Sequence, residues 1–271
     1  MRTDVERITS RQNSLLVEVH KLSDRKHRVR SGLFRFDGVK LTCEALCRDV
    51  RLHAVLLRES SADAVWERVL STCGKAFPES TRVVCVADHA FDALSEESAP
   101  EGVICVAHMQ NELHAPWKDA PPAKESIMLL ESVRDPSNLG AIIRSAAAFG
   151  IDRLIVSDDC ADLYNAKTVR ASMGTLFSQR IDRASDLAAA VELLKASGRR
   201  VFAAALDENA ERLGEFPINA GDCAVIGNEG HGLSDRVIAA CGRAVYIPMT
   251  ERAESLNAAV AASVLMWTFS R

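Results

Sequence analysis

Cys223-Ala224-Val225-Ile226-Gly227-Asn228-Glu229-Gly230-His231-Gly232-Leu233-Ser234 joins a short apolar run to a turn with three glycines in six positions. An apolar run of four that stops at glycine reads as a buried strand of a parallel sheet ending at a functional loop. Glycines in such a loop allow φ > 0 and bring backbone N–H and C=O groups close to a ligand. A second loop follows downstream: Ile247-Pro248-Met249-Thr250-Glu251-Arg252-Ala253-Glu254-Ser255-Leu256-Asn257, leading into an Ala-rich run over 258–267. Ser255 is read as the N-cap of that run, so that helix N–H groups point into the same space. Two such loops after successive strands place one site at the carboxyl edge of a sheet.

Upstream, the same half of the chain alternates strand and helix. Strands are expected over 126–130, 153–156, 177–181, 200–206 and 223–226. Helices are expected over 138–149 (opened by Asn138 and ended by Gly150), 166–173 (closed by Gly174) and 187–195. The alternation predicts an α/β domain with a mostly parallel sheet and helices on both faces. No G-x-G-x-x-G follows the first strand, which argues against an ordinary dinucleotide-binding or Rossmann-type site. The polar stretch over 109–124 carries Pro116, Pro121 and Pro122 and reads as a domain linker, with Trp117 anchoring it. The expected domains are therefore 1–108 and 125–271.

The N-terminal part reads as a smaller α/β layer domain. A helix over 8–30, opening at Thr9 or Ser10, carries Leu15, Leu16, Val19 and Leu22 at helical spacing. The strand Leu33-Phe34-Arg35-Phe36, a turn at Asp37-Gly38, a helix over 39–50 and a strand over 52–57 follow. A helix around 66–70 and strands over 83–87 and 102–108 complete it. The first 60 residues hold 13 Lys and Arg against 8 Asp and Glu, whereas the whole chain holds 33 against 37. A basic head on an acidic body fits a domain that binds a polyanion.

Length and composition exclude other classes. The 271 residues suffice for two cores, and 48% hydrophobic with 26% charged residues is the balance of a soluble globular protein. No run approaches 18 apolar residues and the N-terminus is polar, so neither a membrane span nor a signal peptide is expected, and the location expected is the cytoplasm. Eight cysteines in that setting read as reduced thiols. None forms a C-x2-C pair; Cys43 and Cys47, four apart on a helix, lack the further ligands that zinc needs, so no metal is expected.

The motifs carry a resemblance. Gly227 to Ser234, then Ile247-Pro248-Met249 with Ser255-Leu256-Asn257, are similar to the second and third motifs of the SpoU/TrmH-type RNA 2′-O-ribose methyltransferases of the SPOUT superfamily. The first motif lies upstream in the right order, as Asp135-Pro136-Ser137-Asn138-Leu139-Gly140-Ala141-Ile142-Ile143-Arg144-Ser145-Ala146-Ala147-Ala148-Phe149-Gly150. The resemblance implies a trefoil knot near the C-terminus, S-adenosylmethionine as cofactor, and a homodimer with active sites at its interface. At the other end, Ile8-Thr9-Ser10-Arg11-Gln12-Asn13 and Arg28-x-Arg30-x-Gly32-x-Phe34-x-x-Asp37-Gly38 resemble the family's substrate-binding domain. On that likeness Arg7, Arg11, Gln12, Asn13, Arg28 and Arg30 are the candidate RNA contacts.

The reaction implied is methyl transfer to a ribose 2′-hydroxyl, which requires alignment of acceptor and donor and stabilisation of a developing alkoxide. Arg144 matches the family's motif-one arginine. A guanidinium holds its proton above about pH 12, so a positional and electrostatic role explains the residue as well as a basic one. Asn138 is expected to cap its helix or to contact RNA or Arg144. Glu229 matches the motif-two glutamate that holds arginine or substrate, and Ser255 and Asn257 match the motif-three pair. Gly227, Ile247 and Leu256 match positions whose backbone holds the cofactor, with Met249 packed beside them. His231 reads as a solvent-facing loop residue. Two departures stand out: Glu251 occupies a position where the family has glycine, and Ala258-Ala259 replace a Val-Ser pair. Ribosomal RNA is preferred as substrate because an N-terminal RNA-binding domain suits a structured target. The alternatives are transfer RNA and a non-catalytic RNA-binding protein of the same fold.

Overall fold

The computed structural model describes residues 5–97, 99–110, 121–122, 124–207, 209–252 and 254–270. Trp117 and most of the linker expected over 109–124 lie outside them. The chain divides into two compact units, Met1–Met109 with Tyr164–Ser178, and Gln110–Leu163 with Gln179–Arg271.

The first unit contains β1 (Glu6–Ile8), α1 (Ser14–Lys21), α2 (Arg25–Ser31), β2 (Leu33–Asp37), α3 (Val39–Cys47), β3 (Leu52–Arg58), α4 (Ala62–Cys73), β4 (Arg82–Val86), α5 (Asp88–Asp92) and β5 (Val103–His108). The sheet order is β1-β4-β3-β5-β2, with β5 antiparallel to both neighbours and the other pairs parallel. The single helix expected over 8–30 is two helices, for a local reason. Asn13, rather than Thr9 or Ser10, caps α1 by accepting from the Leu15 N–H, and Asp24 starts α2 by accepting from Lys26 N–H. Between them the Arg28 guanidinium donates to the carbonyls of Leu22 and Ser23 at 2.7 and 2.8 Å, satisfying groups that the end of α1 leaves open.

Strand periodicity sorts β2 onto two faces. Leu33 joins the core under α1 and α5, with Leu16, Val19, Leu56, Phe91 and Ile104. Phe34 and Phe36 face the other way and meet Tyr164 and Phe177, at ring separations of 4.6 and 5.3 Å. Those two partners flank the helix α7 (Ala166–Ala171), so a segment expected in the C-terminal domain completes the core of the N-terminal one. Gly174 closes that segment at φ +89°, where a Cβ would lie 2.6 Å from Glu44, and the strand expected over 177–181 starts later, at Arg180, after a 3-10 turn over Thr175–Phe177.

In the second unit the elements are β6 (Ile127–Leu130), α6 (Pro136–Ala148), β7 (Arg153–Ser157), β8 (Arg180–Ala184), α8 (Leu187–Ala196), β9 (Val201–Ala204), β10 (Glu211–Arg212), β11 (Cys223–Ile226), α9 (Asp235–Cys241), β12 (Ala244–Tyr246) and α10 (Ala258–Phe269). The order is β10-β12-β9-β11-β6-β7-β8 and every pair is parallel. β6 and β11 are fully buried along their length, as continuous apolar runs in a sheet covered on both faces must be. From β6 the chain runs outward to β7 and β8, then returns to build the other side. The boundary between β6 and β11 is thus a switch point, with its crevice at the carboxyl ends. α10 packs on α6 and β11, and the Ser145 and Ser263 hydroxyls bond across the helix pair at 2.7 Å.

All eight cysteines are free thiols, and burial pushes Cys105 and Cys241 up to about 12. Among the described residues no helix is long and apolar enough to cross a membrane, and no group of His, Cys, Asp and Glu is placed to hold a metal ion.

Tyr164→Ala is expected to cost about 3–5 kcal/mol, as for other large buried aromatics. Hydrogen exchange should accelerate in β2 and β5 of the first unit. Acceleration confined to β6–β12 would show that the segment does not complete that core.

Candidate functional site

The site is assembled at the carboxyl ends of β6, β11, β12 and β9. After β6 the chain reaches α6, whose N-cap is Asp135: its carboxylate accepts from the Asn138 N–H at 2.8 Å, and Pro136 occupies the first turn. Contrary to the sequence expectation, Asn138 therefore does not cap the helix, and its side chain is free for other work. It donates from Nδ2 to Glu229 Oε1 at 2.6 Å and accepts at Oδ1 from Asn257 Nδ2 at 3.0 Å. One residue from each of three motifs meets in this chain of bonds.

Asn257 has a second task. Its Oδ1 accepts from the N–H groups of Ala259 and Val260, so Asn257 and not Ser255 is the N-cap of α10. Cap geometry orients the amide, which leaves Nδ2 pointing at Asn138. Ser255 is exposed and lies on the wall of the adjoining pocket.

That pocket, of about 420 Å³, is lined by Gly227, Glu229, Ile247, Met249, Ser255 and Leu256, with Ile226, Leu233 and Leu265 among its apolar walls. The size suits a nucleoside-sized ligand. The backbone N–H groups of Gly227, Ile247 and Leu256 have no hydrogen-bond partner among the described residues. Backbone donors left open in a pocket wall are available to a ligand, since such groups are otherwise paired within the fold.

The loop after β11 owes its shape to close approach more than to positive φ. Of its three glycines only Gly232 has φ > 0, at +67°. Gly227 is required because a Cβ there would lie 2.4–2.6 Å from the backbone of Gly232 and Leu233. Asn228 and Gly232 exchange backbone bonds at 3.0 Å, and the Asn228 side chain accepts from Gly230 and His231 N–H while donating to the Ser132 carbonyl at 2.8 Å. His231 is exposed on the pocket wall.

Ser132 is a non-glycine residue at φ +55°, a conformation that costs an L-residue roughly 1–2 kcal/mol. All three of its other polar groups are held. Its N–H donates to Ser157 Oγ at 2.9 Å and its hydroxyl to Asp159 Oδ2 at 2.5 Å, while its carbonyl takes the Asn228 amide. Although burial disfavours the Asp159 carboxylate, the hydrogen bonds from Ser132, Ser157 and Arg134 hold it down at about 2. Beside it Glu131 accepts from both the N–H and the hydroxyl of Ser234, at 2.8 and 2.7 Å, clamping the start of α9 to the end of β6. Sequence reasoning missed Glu131, Ser132 and Asp159, and nothing local marks them. Asp135 was passed over for Asn138 as the start of its helix, although Asp before Pro is a local helix-start signal.

Arg144 stands apart. It is exposed and has no hydrogen bond or ion pair among the described residues. Six residues beyond Asn138, it lies about 9 Å farther along α6 and on another face. On α6 it lies three residues, about one turn, from Ala141, which with Val260, Val264 and Trp267 lines an apolar groove of α6 and α10; Val260 and Trp267 are each 49% exposed. Glu251 is exposed, is not among the residues with positive φ, and does not line the pocket, so glycine's freedom is not needed there. Of the residues expected to contact RNA, Arg7, Arg11, Gln12 and Arg30 are exposed, with Arg7 paired to Glu59. Arg28 is only 3% exposed and is occupied in ending α1, which removes it from that surface. Asn13 is half-buried and caps α1.

Comparison with known proteins matches residues 125–267 to the SpoU rRNA Methylase family and residues 13–105 to an MRM3-like substrate binding domain. The 23S rRNA (guanosine(2553)-2'-O)-methyltransferase RlmP of Bacillus subtilis is 30% identical over 97% of this chain and 98% of its own. The 23S rRNA (uridine(2479)-2'-O)-methyltransferase of Streptomyces viridochromogenes is 31% identical over 96% of this chain and 90% of its own. Among solved structures, an AdoMet-bound rRNA methyltransferase from Sinorhizobium meliloti superposes with a TM-score of 0.81 at 26% identity, covering 98% of this chain and 97% of that one.

Asp159 holds the Ser132 turn through the Ser132 hydroxyl. Asp159→Asn should loosen it and speed amide exchange over 228–232, whereas Ser132→Gly, which adopts φ > 0 freely, should not. The double variant should recover slow exchange; if it exchanges as fast as Asp159→Asn alone, Asp159 does not act through the turn. Because the Asp159 carboxyl is held below its ordinary value, its contribution is present above about pH 4 and is lost as pH falls through about 2.

Proposed function

The chain belongs to the SpoU rRNA methylase family, and from that premise we propose that it methylates a ribose 2′-hydroxyl of ribosomal RNA. It is an RNA (ribose-2′-O-)-methyltransferase that uses S-adenosylmethionine. The observation that carries the reading is the meeting of Asn138, Glu229 and Asn257 at the mouth of a pocket with open backbone donors. Ribosomal RNA is favoured over transfer RNA because full-length relatives act on 23S rRNA. A cytoplasmic location follows from that substrate.

S-adenosylmethionine supplies an electrophilic methyl group on its sulfonium and needs no metal. In our reading Gly227, Ile247 and Leu256 hold its nucleoside through their backbone N–H groups, and Met249 packs against it. Glu229 accepts from Asn138, and Asn138 accepts from Asn257, so the Glu229 carboxylate is fixed where a ribose or a guanidinium can meet it. Ser255 lines the same wall, and in the same reading its hydroxyl bonds the substrate. Arg144 serves as an electrostatic and positioning group for the developing alkoxide, since a guanidinium offers only donors.

The position of Arg144 bears on assembly. Among the described residues it makes no bond to the Asn138–Glu229 pair, and on α6 it lies about one turn from Ala141, which lines the exposed apolar groove of α6 and α10. We assign that face to a second copy of the chain, so that the protein is a homodimer and Arg144 completes its partner's site. Glu251, the departure from the family's glycine that would favour a non-catalytic protein, needs no glycine in its backbone and is off the pocket wall.

Incubation with labelled S-adenosylmethionine and separated unmethylated ribosomal and transfer RNA should yield a 2′-O-methylnucleoside in the ribosomal pool alone. Arg144→Ala should lower the rate by about a hundredfold or more with the cofactor affinity kept. Label in transfer RNA alone would correct the substrate, and none in either pool would sink the catalytic reading.

A further inference from the structure

In the first unit, helix α1 stands between two grooves that share Val17 and Lys21, one turn apart on its outer face. The groove toward α5, about 230 Å³, has a floor of Leu16, Ala90 and Leu94 and a rim of Arg11, His20 and Lys21. No acidic side chain lines it. The second, about 350 Å³, runs toward α2 and is bordered by Glu18, His27 and Arg30.

The rim of the first groove is prepared in an unusual way. Arg11 donates from both Nε and Nη2 to the His89 carbonyl, at 3.1 and 2.8 Å, so its guanidinium plane is fixed at the groove edge while remaining exposed. His20 and Lys21 have no side-chain hydrogen bond or ion pair among the described residues. Val17, between the grooves, is 38% exposed. An apolar seat with an oriented planar cation and an unpaired ammonium is complementary to a flat aromatic ring on an anionic backbone. Unpaired bases are held in this way, by stacking on guanidinium planes, whereas a paired helix offers its bases to no such seat.

We propose that the groove between α1 and α5 seats one unpaired base of the substrate RNA, stacked on the Arg11 guanidinium. Lys21 takes the phosphate that follows, and the groove toward α2 receives the next nucleotide with Arg30 at its end. The proposal rests on the ribosomal RNA reading and adds to it the recognised feature, an unpaired loop or bulge rather than duplex. Arg11 and Lys21 share the phosphate-facing rim, but only Arg11 has the plane that a base can stack on.

The test uses the full-length protein and two probes of the same sequence: an RNA hairpin with an unpaired loop, and that strand closed into a duplex by its complement. Ala93→Trp, at an exposed position on the groove, fills the seat, and Arg11→Lys keeps the charge while removing the plane. Thermal melting and S-adenosylmethionine affinity report that each variant is folded. Each is expected to weaken hairpin binding about tenfold and leave duplex binding within about twofold. Lys21→Glu is expected to weaken hairpin binding and to lower its salt dependence.

Hairpin binding unchanged in Ala93→Trp overturns the seat, as does equal loss for hairpin and duplex, which marks a general basic face. Wild-type protein that binds neither probe also overturns it, and leaves the groove to a protein partner. If wild type methylates no RNA but still loses the hairpin selectively in both variants, the catalytic reading fails while the seat stands.

Discussion

The Asn138 side chain is the joint on which the candidate site depends. A primary amide offers donors on one side and acceptors on the other, and here Nδ2 donates to Glu229 while Oδ1 receives Asn257. The three residues lie 91 and 119 positions apart in the chain. They can meet only because β11 is laid directly beside β6 and α10 returns over α6. A bond network of this kind is worth more than its separate bonds, since losing one member strands polar groups on the others. Asn138 is spared for the joint because Asp135 does the capping, and Asn257 serves both purposes because its two amide ends face different ways.

Around the joint, strain and close approach hold the loops. Ser132 sits in a left-handed conformation that its neighbours fix from three sides, and its carbonyl anchors Asn228. Gly227 lies so close to Gly232 that any side chain would move the backbone. These are costs that the fold accepts at the carboxyl edge, where a loop must present open N–H groups to a ligand. The two central strands β6 and β11 themselves carry no comparable burden and are buried apolar runs.

How far the sequence could be read follows from these details. Parallel strands, their order along the chain and the three motifs were legible, because apolar runs ending in glycine and helices opened by polar residues are local signals. Cap assignments were not: Asn138, Ser255 and Asn257 are all good cap residues by type, and only the chain's path decides which one bonds to N–H groups. Arg28 looked like a surface cation because its sequence neighbourhood is basic, yet it ends α1 from a buried position. The docking of Tyr164 and Phe177 on Phe34 and Phe36 leaves no trace at the level of periodicity. Glu251 drew notice as a missing glycine, and the backbone there asks for none. Arg144 was legible as a motif residue, but its distance from Asn138 appears only once α6 is laid out.

The most direct test of the central claim is a double-mutant cycle between Asn138→Ala and Glu229→Ala, read as the methyl-transfer rate constant at saturating RNA and S-adenosylmethionine. If the two side chains act as one joint, the double variant will be little slower than the worse single variant, falling short of the product of the two losses by about tenfold or more. If the two losses simply multiply, the residues act independently and Asn138 is not the joint of the site.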